Sequence, residues 1–340
     1  MKKIGFVFFA AFAAAVALAE PVKVIFDTDM YTDFDDVGAM AVLHALADAG
    51  ECEILGTVVS TRGAPSAGMV EILNAYYGRA DLPVGGPQGM GIGPGHDHLE
   101  SHLERQKSYK MYMDMIAANP AVKHPLGAAV PDANEVYRKL LAAAPDRSVT
   151  IISVGFTTNL RRLLETKADA LSPLAGKALV AKKVKVWYAM ATRYPEGREY
   201  NSMADAESSR LAFIDWPSPV YFLDFNYGVT VRCGVSAAKL ADGRNPVRDV
   251  FKRALTEYGE IDKGHPSWDE VTVLAAVRGW EKYFGVARGR MAIVDEKGTN
   301  RWQDDPDGNH YVLTEKTPKA EVGKIIDELI CREPKRASAK

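Results

Sequence analysis

Five aspartates fall within ten residues of this 340-residue chain: Asp27, Asp29, Asp33, Asp35 and Asp36. Like charges packed that closely repel one another and destabilise a compact chain unless a cation sits among them. Oxygen-only donors suit a hard divalent ion, Ca²⁺ or Mg²⁺, rather than zinc. A solvated acidic turn capping a helix is the simpler alternative, but a cap needs one carboxylate or two, not five. Two further polar clusters lie downstream. One is Glu199-Tyr200-Asn201-Ser202-Met203-Ala204-Asp205-Ala206-Glu207; the other is Gly264-His265-Pro266-Ser267-Trp268-Asp269-Glu270.

The elements that must carry these residues are legible in the hydrophobic pattern. The aspartates follow an apolar, β-branched run beginning at Val22, a buried strand, and precede an apolar helix from Val37 to Ala47. Strands are expected at Glu53–Ser60, Leu82–Val84, Ser148–Val154, Val184–Met190 and Pro219–Phe225, with late ones at Met291–Val294 and Tyr311–Leu313. Helices are expected at Ala67–Tyr77, 132–144, Val247–Glu257 and Lys319–Ile330, with another opening at Asp269. This alternation implies an α/β fold with a Rossmann-like core: an open, mostly parallel sheet flanked by helices and joined by right-handed crossovers. Such sheets bind ligands at the carboxyl ends of their strands, where the aspartates fall.

Composition narrows the function. Forty-two basic residues against 44 acidic ones leave a net charge of −2, which argues against a nucleic-acid partner. Lys2 and Lys3, an apolar run from Ile4 to Leu18 and the Ala17-Leu18-Ala19 site read as a signal peptide over residues 1–19. The run is short for a bilayer span, so no stable membrane anchor is expected, and the protein is read as exported, periplasmic or secreted. Residues 20–332 then form a single catalytic domain, followed by a polar tail, 333–340. Cys52, Cys233 and Cys331 are too few and scattered for a disulfide framework, though one pair or three buried thiols both fit. A homo-oligomer is compatible with the sequence, which specifies no oligomeric state.

A strand ending in Asp27-Thr28-Asp29, followed by Asp35-Asp36 opening a small-residue helix, resembles the inosine–uridine nucleoside hydrolase family. The common family form is Asp-x-Asp-Pro-Gly-x-Asp-Asp; two extra residues stand in this chain, as in some bacterial members. The resemblance implies a Ca²⁺ ion held by Asp29, Asp36, Asp269 and the backbone carbonyl of Val154, the last within Val154-Gly155-Phe156-Thr157-Thr158-Asn159-Leu160. It further implies that Asp29 is the catalytic base towards the attacking water and that Asp35 grips ribose hydroxyls. Glu199 and Asn201, in a stretch similar to the family's Glu-Phe-Asn-x-x-x-Asp-Pro-Glu, bind the ribose too, since sugar hydroxyls need donors and acceptors on a rigid frame. Asp205 is expected to order that turn and cap the next helix, and Thr157 or Thr158 to cap another. The implied substrate is a small-molecule nucleoside or riboside. The fold implied is nucleoside hydrolase-like, with likeness running to about residue 280.

The sequence departs from the family at Trp268, where a histidine commonly protonates the leaving base. Indole cannot donate a titratable proton. Trp268 can stack on the departing base or pack the site wall, and Tyr200, His265 or a loop histidine can supply the proton. Asp33 has no counterpart in the shorter motif. His96 and His98, in the Gly85–His102 loop, suit either a loop at the site mouth or a second metal. Two other function classes compete. A haloacid-dehalogenase-type phosphatase would want Thr or Val where Tyr31 stands, and an exported nucleoside- or sugar-binding protein could keep the metal without turnover.

Overall fold

The computed structural model describes residues 20–335 apart from 32, 63–64, 90, 94–107, 121, 125–127, 242 and 244. The 1–19 leader, His96 and His98 lie outside the described residues. The chain forms β1 (Val22–Thr28), β2 (Cys52–Val59), β3 (Val84–Gly85), β4 (Val149–Ser153), β5 (Val184–Thr192) and β6 (Glu196–Arg198). Six more strands follow: β7 (Val220–Asp224), β8 (Arg232–Cys233), β9 (His265–Pro266), β10 (Phe284–Ile293), β11 (Thr299–Asp304) and β12 (His310–Glu315).

Ten of these make one sheet in the order β3-β2-β1-β4-β5-β7-β12-β10-β11-β6, while β8 and β9 pair separately. From β3 to β12 every neighbouring pair is parallel; β10, β11 and β6 extend the sheet antiparallel. The apolar runs of β1 and β4 explain their central place. Val24 and Phe26 enter the core on one face of the sheet and Ile25 the core on the other. Ile152 and Ile151 divide the same way. A strand buried on both faces needs helices on both sides, which the alternating sequence provides.

The expected α/β architecture is therefore present, with differences at its late edge. Met291–Ile293 is only the end of β10, which starts at Phe284. The Thr299–Asp304 strand carries little apolar signal because half of it faces solvent. Beyond the expected Val184–Met190, β5 runs on to Thr192, and Glu196–Arg198 adds β6. All three cysteines are free thiols, Cys52 and Cys233 buried.

At the carboxyl end of the sheet the central strands are laced together. The Ser60 amide donates to the Thr28 carbonyl at 2.8 Å, and the Val154 amide to the Asp27 carbonyl at 2.8 Å. The chain ends of β1, β2 and β4 thus meet at one place, directly beneath the acidic cluster.

Candidate active site

Asp27 holds the platform together. It is fully buried and accepts from the Tyr137 hydroxyl at 2.9 Å and from Asn159 Nδ2 at 3.2 Å. Asn159 Nδ2 also reaches the Val59 carbonyl at 3.0 Å, so one amide ties β1 to β2 from the helix Thr158–Glu165. Burial pushes the Asp27 carboxyl up to about 8, against the pull of the Tyr137 and Asn159 hydrogen bonds.

Two helix starts bring the remaining carboxylates together. Asp35 and Asp36 open the helix Asp35–Asp48, and Asp269 opens the helix Asp269–Arg278. One oxygen from each of Asp35, Asp36 and Asp269 lies within 4.8 Å of the others, all three being buried. The Thr28 hydroxyl donates to Asp36 and fixes it over the end of β1. Burial raises all three carboxyls well above the usual range, and their mutual repulsion adds to it. Asp29, only 3% exposed, stands beside this triad, and its charge raises each member further. The compact group thus includes Asp35, which the family resemblance assigns to the ribose, while Asp29 adjoins it. Buried carboxylates in mutual repulsion, all offering oxygen, fit a hard divalent cation.

On the facing side, Glu199 caps the short helix Tyr200–Ala204, accepting from the Asn201 amide at 2.8 Å and the Ser202 amide at 3.2 Å. Burial lifts its carboxyl to about 7, and those two amides offset part of the rise. Asn201 Nδ2 donates to the Val154 carbonyl at 3.2 Å and to the Met190 carbonyl at 2.9 Å. A carbonyl has two lone pairs, so Val154 keeps one acceptor site for another partner. Asp205 caps the helix Ala206–Asp215 through the Ser208 amide at 3.2 Å, as the sequence suggested. Thr157 and Thr158 do not cap theirs: Thr157 meets Ser209, and Thr158 donates to Asp205.

These groups border a cleft of about 190 Å³ lined by Asp33, Asp35, Val154, Glu199, Asn201 and Asp269, with Met190 and the rings of Tyr200, Phe225 and Trp268. Trp268 is half-buried; its Nε1 donates to the Phe225 carbonyl at 3.1 Å, and its ring stacks on Phe225 at 5.1 Å. Arg193 lies over the Phe225 ring at 3.6 Å. The Arg193 backbone is pinned by fully buried Asn300, which donates to its carbonyl at 2.6 Å and accepts from its amide at 2.8 Å. β11 thus anchors the Arg193 backbone beside the aromatic wall.

A histidine closes the rim of the cleft. His265 Nε2 lies 3.3 Å from Asp33 and Nδ1 2.9 Å from Glu260, with the imidazole against the Phe34 ring at 4.1 Å. Burial opposes the charged ring, yet Asp33 and Glu260 win and raise it to about 10. His265 is thus an imidazolium, and Asp33, the residue of the two-residue insertion, presents its carboxylate to the cleft. No local periodicity could reveal a pair 232 residues apart.

Comparison with known proteins adds kinship to this geometry. A sequence-family profile described as inosine-uridine preferring nucleoside hydrolase matches residues 24–329. Among solved structures, a plant nucleoside hydrolase is 19% identical with a TM-score of 0.65, over 91% of this chain and 99% of its own. The inosine-uridine preferring nucleoside hydrolase from Bacillus anthracis is 16% identical with a TM-score of 0.64, over 91% and 99%. The type III effector protein XopQ, solved with adenosine diphosphate ribose, is 15% identical with a TM-score of 0.66, over 91% and 92%. A search of curated proteins finds no significant match.

Proposed function

The chain belongs to the inosine-uridine preferring nucleoside hydrolase family, and from that premise we propose that it hydrolyses ribonucleosides to free base and ribose at the cleft between Asp269 and Glu199. It is an N-glycosyl hydrolase, and its substrate class is nucleosides. The observation that carries the site assignment is the meeting of Asp36 with Asp35 and Asp269, the last two lining the cleft that Glu199 and Asn201 also line.

In this reading Asp29, Asp36, Asp269 and the Val154 carbonyl would hold a Ca²⁺ ion, with Asp35, which meets Asp36 and Asp269, as a further oxygen donor. Bound there, the ion would supply Lewis-acid polarisation of the sugar hydroxyls and of the attacking water. Asp29 takes the proton from that water onto a carboxylate oxygen as C1′ is attacked, a step worth typically ~10²–10⁴-fold. Asp35, Glu199 and Asn201 orient the ribose. The surrounding carboxylates stabilise the positive charge that builds on the sugar as the C1′–N bond breaks.

Trp268 forms the wall beside the departing base. Its N–H is already given to the Phe225 carbonyl, so the proton for the base comes from elsewhere or the base leaves unaided. The leader over residues 1–19 directs export, and the mature chain begins at Glu20. Turnover of a nucleoside panel, with and without a chelator, tests the reading. Release of base that stops on chelation supports it; tight binding of nucleosides without release identifies a binding protein instead.

A further inference from the structure

A carboxylate that the chemistry above does not use sits one residue beyond Asp269. Glu270 is completely buried, accepting the Ser267 hydroxyl at 2.8 Å on Oε2 and the Cys233 thiol at 3.4 Å on Oε1. Its side chain lies flat against Gly38, in the first turn of the opposite helix. A Cβ at residue 38 would stand 2.0 Å from Glu270 Oε1, 2.8 Å from its carboxyl carbon and 3.0 Å from Cγ. Only glycine permits that approach. The two helices meeting here are the ones that deliver Asp35 and Asp36 on one side and Asp269 on the other.

Packing alone does not explain this arrangement. A buried apolar residue would fill the same space without desolvating a carboxylate. Glu270 also places a further acidic group behind three that already repel one another, a burden on the cation-free fold. His265 offsets part of that burden, and positive charge at the triad would offset the rest. We propose that Glu270 is a positioning residue for the cation: against Gly38 it sets the separation of the two helix starts, and its charge adds to the field of the ligand carboxylates. This rests on the cation-binding reading of the triad above. Groups behind metal ligands typically change affinity 10–100-fold when altered, because they fix ligand orientation and charge.

The test is calorimetric titration of Ca²⁺ into the chelator-stripped full-length protein, with the cation-free melting temperature as a second readout. Glu270→Gln keeps shape and removes charge. It is expected to weaken Ca²⁺ binding about tenfold while the cation-free melting temperature holds or rises. A merely structural role would instead lower the melting temperature and leave affinity alone, and that result overturns the proposal. Gly38→Ala is expected to weaken binding by displacing Glu270. Adding Glu270→Ala to it should then cost nothing beyond Glu270→Ala alone, because the clash is gone. Independent, additive losses overturn the clamp. Should Gly38→Ala not fold, Glu270→Gln decides. A parent that takes up no divalent cation overturns the cation reading with it, whereas a binding parent and an indifferent Glu270→Gln overturn this inference alone.

Discussion

His265 and Asp33, far apart in sequence, face each other at 3.3 Å on the rim of the cleft, with Glu260 holding the far nitrogen of the imidazole at 2.9 Å. The ring is a cation clamped between two carboxylates, and it keeps the Asp33 side chain aimed along the cleft wall. His265→Gln removes the charge and leaves two acidic groups without their shared partner. The expected result is a stability loss of about 1–3 kcal/mol, since unsatisfied, partly buried polar groups cost that much. Denaturant melts of parent and variant measure it.

Asp29→Asn preserves shape but removes both a negative charge and the proposed base. Turnover is expected to fall by at least ~10²-fold with the fold unchanged by circular dichroism, because a positioned base contributes that much. Activity within about twofold of the parent removes Asp29 from the mechanism.

Removing the cation should lower the melting temperature. A ligand that binds only the folded chain stabilises it by RT ln(1 + [L]/Kd), ~2.7 kcal/mol at a hundredfold excess over Kd. Thermal melts with Ca²⁺ and with chelator check this, and coincident curves exclude a site at Asp36 and Asp269.

The cation-free protein should also lose stability as pH rises. Burial raises Asp27 to about 8 and Glu199 to about 7 in the folded chain, whereas both titrate near ~4 when unfolded. Between those values the folded chain holds protons that the unfolded chain has released, so raising the pH favours unfolding. His265 acts in the same direction: its contribution is full below its ordinary 6.5 and is lost above about 10. Chelator-treated protein should therefore melt higher at about pH 5 than at about pH 8.5, and Ca²⁺ should flatten the difference.

Trp268 makes a kinetic prediction. With no acid at that position, a p-nitrophenyl riboside, whose anion leaves unaided, should be cleaved far faster than uridine. Trp268→His should narrow the gap if the new imidazole reaches the base, although loss of the Phe225 stack opposes the gain. The ratio of kcat/KM for the two substrates is the measurement. A ratio near one in the parent means another group protonates the base.

Much of this molecule could be read from its sequence, for physical reasons that differ by region. Strands β1, β2, β4, β5 and β7 are buried on both faces and write continuous apolar runs. The antiparallel edge does not: β6 is largely exposed, and Thr299–Asp304 alternates without a strong apolar register. Within the site, Asp35, Asp36, Glu199 and Asn201 were legible because each motif is contiguous. The His265–Asp33 and Glu270–Gly38 relationships were not, because tertiary packing alone creates them. Asp27 is the instructive middle case. It stands in the legible motif, yet its work is to bind Tyr137 and Asn159 under the site.

Asn300 also fixes when the cleft becomes whole. Translation delivers residues in order, so Arg193 and Phe225 are made long before the side chain that pins the Arg193 backbone. Until β11 docks, the Arg193 backbone, and with it the guanidinium over Phe225, lacks that anchor. A chain that ends between Asp269 and Asn300 has every residue that lines the cleft yet lacks the side chain that pins Arg193. Order at the aromatic wall is, in temporal terms, set by a strand made after every residue that lines the cleft.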